Sequence, residues 1–263
     1  MPESSQRKKD LQAIAEFRMF DDTFMSAVFD GQNAETELLV RDVMERNDIT
    51  VVYSKAQYYI ANPHGHEVRL DIFANDEEGR AYHFEVQRGV KGASVKRARY
   101  TAAMVDMTLL AKSRDYDSLP ERYTIFITEK DMFGKTLPMY HAENKVEELE
   151  NASLGDGGHI IYVNGEFQNT DTPIGQLMHD FSCVKPADII NPLLRKRVHY
   201  LKETEGGREE MCQIMENRIN EEKIELAKKA IANGKLSLED IAETLSLPLA
   251  FVQELAKVKP ITA

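Results

Sequence analysis

The sequence predicts a mixed α/β domain joined to an all-helical C-terminal tail. Three observations carry this reading. The hydrophobic period changes from helical to alternating and back, strand-like segments lie between two amphipathic helices, and everything after Arg208 is helix-forming. The 263 residues allow one large domain or two smaller ones. With 42% hydrophobic and 29% charged residues, the chain can bury a core, which excludes a disordered or collagenous protein. No run approaches the roughly 18 apolar residues of a membrane-spanning helix, and MPESSQRKKDLQAIAEF lacks the apolar stretch of a secretory signal. A cytoplasmic location is therefore expected. Cys183 and Cys212 are too few for a disulfide framework and lack the paired spacing of a zinc site, so both are expected as free thiols.

The first residues are polar, and 1–16 is expected as a flexible N-terminus. Phe17, Phe20, Phe24, Val28 and Phe29 then recur near the helical period, and a further helix follows from Glu35 to Val43. ITVVYS (49–54) and QYYI (57–60) have strand composition, and NPHGH (62–66) is turn material. EVRLDIF (67–73), a turn at 75–80 and AYHFEVQ (81–87) form a predicted hairpin. A long helix follows from about Ser94 to Lys112. Val95, Ala98, Ala102, Val105 and Leu109 share one side of it, and Lys96, Arg97, Arg99 and Tyr100 lie around the other. YTIFIT (123–128) and HIIYV (159–163) read as buried strands, and the α/β domain is expected over 17–205. The tail, 206–263, has Gly206-Gly207 as a joint, a long helix closed by Gly234, and a helix-turn-helix-like hairpin around Ser246-Leu247-Pro248.

The net charge is −11, from 33 basic and 44 acidic residues, which speaks against a surface that attracts nucleic acid everywhere. Two local basic clusters stand out, one between Arg88 and Arg99 and one comprising Arg195, Lys196, Arg197, His199 and Lys202. Either one read by itself is most simply a solvated face.

Side-chain alternation puts Arg69, Asp71 and Phe73 on one face of the first hairpin strand, and His83, Glu85 and Gln87 on one face of the second. Pairing symmetric about position 78, inside the turn, sets Asp71 opposite Glu85. Facing side chains are roughly 5 Å apart at Cβ, so two acids there repel unless something positive lies between them. A divalent ion resolves that conflict, because magnesium takes hard oxygen ligands. Two separate solvated acids, paired with Arg69, Arg80 or Arg88, resolve it equally well. Spacing alone leaves both open. His64 and His66 lack a third ligand and read as turn residues, and His83 shares the acidic face as a second-layer candidate or a plain strand histidine. No phosphate-binding loop, dinucleotide fingerprint, zinc-protease helix or nucleophile elbow is present.

The stretch RLDIFANDEEGRAYHFEVQR resembles the core motif of the PD-(D/E)XK nuclease superfamily, an Asp on one strand and Glu-x-Lys on the next. It is more similar still to the recombination-promoting nuclease and transposase family, whose second motif commonly reads Glu-x-Gln. FDDTFMSAVF, the EVQR tetrapeptide, the basic RARY segment and KLSLEDIAETLSL support the resemblance, which spans roughly Phe17 to Lys257. It implies a restriction-endonuclease-like core of order α-β-β-β-α-β. It further implies metal ligation by Asp71, Glu85 and the backbone carbonyl of Val86, with Gln87 at the superfamily's lysine position. Two departures matter. Gln87 can orient a water but cannot act as an acid or base, and Val68-Arg69-Leu70 replaces the eponymous proline.

Such sites are often completed by an acid from the first helices. Glu37 is the candidate, with Glu35 close behind. Lys96, Arg97, Arg99 and Tyr100 would bind DNA phosphates. The implied activity is that of a Mg²⁺-dependent DNA endonuclease, with Mn²⁺ as a substitute. The alternative is a weak or inactive nuclease-like fold serving as a DNA-binding or protein-interaction module. Gln253, Lys257 and Lys259, set against Glu254, make the last hairpin a poor DNA reader, so packing or homo-oligomer formation through the tail is expected instead.

Overall fold

The computed structural model describes residues 5–62 and 65–257, so His64 and Lys259 lie outside the described residues. Helices α1 (Ser5–Glu16), α2 (Asp22–Phe29) and α3 (Asn33–Met44) lead into strands β1 (Val51–Ile60), β2 (Val68–Asp76) and β3 (Ala81–Gln87). Helix α4 (Val95–Leu109) crosses to β4 (Arg122–Thr128). After it come β5 (Met139–Ala142), the short pair β6 (Lys145–Val146) and β7 (Ala152–Ser153), and β8 (Gly158–Asn164). Five helices finish the described chain: α5 (Pro173–Ser182), α6 (Pro192–Glu203), α7 (Glu205–Asn233), α8 (Leu238–Leu245) and α9 (Leu249–Lys257).

Six strands form one mixed sheet in the order β1-β2-β3-β4-β8-β5. β3, β4 and β8 run parallel at its centre, while β1, β2 and β5 run antiparallel to their neighbours. The parallel step from β3 to β4 needs a crossover connection, and α4 supplies it. Alternation then divides the sheet. Ile72, Phe84, Val86, Ile125, Ile127 and Val163 face the main core with α2, α3, α5, α6 and the start of α7. Phe73 and Ala81 pack under Met104 and Val105 of α4, and Phe126 and Tyr162 pack under its Ala98. Each large apolar side chain so buried contributes about 1.5–3 kcal/mol. The order α3-β1-β2-β3-α4-β4 is the restriction-endonuclease-like core that the resemblance implies.

Several expectations are corrected. Residues 5–16 of the expected flexible arm are helix α1, because Ile14 is buried against the main core. The two segments 49–54 and 57–60 form one strand. Its pairing with β2 runs from Val51↔Asp76 to Ile60↔Val68, and Gln57 bends it with a left-handed φ of 51°. Val95, expected on the core side of α4, is 56% exposed because it begins the helix before that helix meets the sheet. Gly206-Gly207, read as a joint, lies in the first turn of α7 where the chain leaves α6. A Cβ on Gly207 would fall 1.9 Å from the Tyr200 carbonyl oxygen, so only glycine permits the tight corner from α6.

The second basic cluster is largely consumed by the fold. Arg195 donates to the Ile189 and Ile190 carbonyls, and Arg197 to Ala27 O and Glu210. Lys202 is buried, with its ammonium donating to Ala15, Phe17 and Val184 carbonyls and lying over the Phe24 ring. In the tail, α7 ends at Gly234 with φ 61°, and Ser237 and Asp240 form a capping box on α8. Ala227, Ile241, Ala242 and Val252 make a small core of their own there. Among the described residues, no helix is long and apolar enough to cross a membrane.

Candidate metal centre

The position of the site begins with the hairpin turn. Buried Asp76 accepts from the Glu78 and Arg80 N–H groups through Oδ1, and from Arg80 Nε (2.6 Å) and the Tyr82 hydroxyl (2.8 Å) through Oδ2. Gly79 takes the left-handed turn conformation with φ 81°. These bonds pin the ladder at Asn75↔Ala81, Ala74↔Tyr82, Phe73↔His83 and Ile72↔Phe84. One step beyond the last of these pairs Asp71 Oδ2 accepts the Val86 N–H, which brings Asp71 beside Glu85, and a slip of one residue would turn either acid to the other face.

Asp71 and Glu85 thus meet on the α4 side of the sheet. Asp71 is half-buried, and its Oδ2 accepts the Val86 N–H at 2.7 Å. Burial first, and the Glu85 charge second, push its carboxyl well above the ordinary carboxylate range; the Val86 N–H and Arg97 partly oppose them. Glu85 is fully buried. Three side chains meet its carboxylate: His83 Nε2 lies 3.0 Å from Oε1, Arg97 Nη2 donates to Oε2 at 2.5 Å, and Gln87 Nε2 approaches Oε2 at 3.4 Å. A guanidinium already stands where the two carboxylates need positive charge. The hard, crowded and partly desolvated oxygen donors suit a small divalent cation.

Gln87 sits on the same face, and its side-chain oxygen packs against Gly92, where a Cβ would fall 2.0 Å away. Sequence reasoning missed Gly92; only tertiary contact reveals that its lack of a side chain seats Gln87. Of the four residues expected to bind phosphate, Lys96 and Arg99 are exposed on α4. Arg97 reaches Glu85, because Ser94 caps the helix and starts its first turn just beyond the end of β3. Tyr100 is held by two residues of the described chain before β2, donating to His66 O at 2.6 Å and accepting from Asn62 at 2.9 Å. Both side chains are therefore engaged in contacts within the fold.

Glu37 is corrected outright. Its Oε2 accepts the Val51 N–H at 3.0 Å and its Oε1 pairs with Arg41 at 2.8 Å. Val51 pairs with Asp76, five positions and so about 17 Å along β2 from Asp71. Glu37 anchors the start of β1 instead. Glu35 is buried in the first turn of α3. One cluster escaped the sequence reading: His179, Asp180 and Cys183 lie close together at the end of α5. Asp180 accepts the Ile190 and Asn191 N–H groups at 2.7 and 2.9 Å, tying down the loop to α6. The Cys183 thiol is pushed up to about 11 by burial and by Asp180 and Asp188, so it stays protonated.

The family model of the PD-(D/E)XK nuclease family transposases matches residues 36–232. The chain belongs to that family, which spans α3 through most of α7 and includes the hairpin, its two acids and α4. Nucleases of this kind generally use divalent metals and act on DNA. Comparisons with curated proteins and with solved structures find no match.

Proposed function

We propose that the protein is a metal-dependent DNA endonuclease of the transposase and recombination-promoting type. The carrying observation is the convergence of Asp71 and Glu85 from paired strands, with Arg97 already serving as a cation between chain and charge. In this reading Asp71, Glu85 and the Val86 carbonyl hold Mg²⁺, or Mn²⁺ in its place. When bound, such an ion polarises a phosphate and acidifies a water. Gln87 then orients the water through its amide. It holds no proton to exchange at neutral pH, so the proton leaves to a phosphate oxygen or to solvent. Lys96 and Arg99 contact the phosphates of the strand, and Arg97 joins them once it leaves Glu85.

Supercoiled plasmid incubated with Mg²⁺ should be nicked, EDTA should abolish nicking, and Asp71→Asn should lower the rate by a hundredfold or more. An Asp71→Asn protein that nicks like the parent would remove the proposal. A second reading is favoured by the Arg97–Glu85 ion pair and the uncharged Gln87, a fold that binds DNA without cutting it. Salt-sensitive DNA binding with no nicking in Mg²⁺ or Mn²⁺ would select that reading.

A further inference from the structure

We infer that His83 is a positioning residue that fixes the Glu85 carboxylate so that Oε2 is the oxygen offered to the cation. The inference rests on the metal-site reading above and adds a residue to it. His83 is completely buried, between Phe73 on β2 and Thr124 on β4. Its Nε2 lies 3.0 Å from Glu85 Oε1, while its Nδ1 has no hydrogen-bond partner. The same carboxylate accepts from the Arg97 guanidinium through Oε2, and a ring hydrogen placed on Nε2 gives Oε1 a donor as well. The imidazole thus has a single polar bond, and it goes to a candidate metal ligand.

Packing alone gives no reason for this choice. A phenylalanine would fill a similar volume with no unpaired ring nitrogen, so what the histidine adds is its one bond, to the buried Oε1 of Glu85. The bond acquires a purpose if Glu85 must present one oxygen. Oε1 is held by a residue of the sheet, whose ring cannot leave. Oε2 is met by Arg97, a long side chain 44% exposed, and by Gln87 at the edge of hydrogen-bond range. Exchange is therefore easy at Oε2 and closed at Oε1. Partners of ligating groups act in this way at metal sites generally, orienting the ligand and raising affinity.

The test is Mn²⁺ binding to the full-length protein, followed by calorimetry or electron paramagnetic resonance, with Asp71→Asn alongside. His83→Phe should weaken Mn²⁺ about tenfold or more and, because it leaves the buried Glu85 Oε1 unpaired, lower the unfolding temperature of a protein that still folds. His83→Gln, which restores an N–H donor, should recover most of the affinity. A folded His83→Phe protein that binds Mn²⁺ like the parent overturns the inference. Should His83→Phe fail to fold, the ring ¹⁵N signals of His83 in the parent decide the matter. They should move as Mg²⁺ saturates the protein, and signals that stay fixed through saturation overturn the inference. If the parent binds no Mn²⁺, or Asp71→Asn binds it equally well, the metal-site reading itself falls and takes the inference with it.

Discussion

A methyl group on Gly92 would collide with the Gln87 side-chain oxygen, whose neighbour Glu85 is buried and fixed. The clash is with the mobile end of a side chain, so Gln87 can move aside at little cost. Gly92→Ala should therefore change stability by no more than about 0.5 kcal/mol. Yet it should lower the nicking rate at least tenfold, because the amide proposed to orient water is displaced. Equal losses of stability and activity would contradict that separation. At this scale the sequence was an uneven guide. Asp71, Glu85 and Gln87 were legible because strand alternation depends only on near neighbours. Glu37 was misplaced because its partners, the Val51 N–H and Arg41, are set by where α3 meets β1. Arg97 was read as a free phosphate ligand because a helical wheel shows a face and not what stands opposite it.

Between elements, the contact of α3 with α5 carries a pH signature. Asp42 of α3 is raised to about 6, first by burial and then by the nearby charge of Asp180 on α5. A carboxyl with its folded pKa above the unfolded value binds more protons when folded. Stability from this group is thus greatest below about pH 4 and is lost as pH rises through about 6. Asp42→Asn should stabilise the protein by about 1 kcal/mol at pH 7, after allowance for solvent screening, and by nearly nothing at pH 4. Urea unfolding at the two pH values checks this; a gain independent of pH would contradict it. The hairpin, by contrast, was readable as an element, since its turn residues Asp76, Gly79 and Arg80 lie between the strands they register. Helix α1 was not, because its polar sequence gains stability only by laying Ile14 on a distant core.

Across the whole molecule, two helical faces and one sheet set the site apart from the tail. The main core gathers most helices on one side of the sheet and leaves the other to α4, whose first turn crosses the paired acids. The tail begins inside that main core, with Met211 of α7 buried there, and ends in a separate cluster around Ala227, Ile241 and Val252. The order of elements was legible because each has its own period. The extra edge strand β5 and the small β6–β7 pair were not, as their few residues carry too short a pattern to register. The proposed function rests on the oxygens of Asp71 and Glu85. The most direct measurement is anomalous diffraction from crystals of the parent protein soaked in Mn²⁺. The account expects one peak about 2.1–2.2 Å from an oxygen of each carboxylate, with Arg97 withdrawn from Glu85. Density with no ion between the two acids and the Arg97–Glu85 pair intact at saturating Mn²⁺ would contradict it.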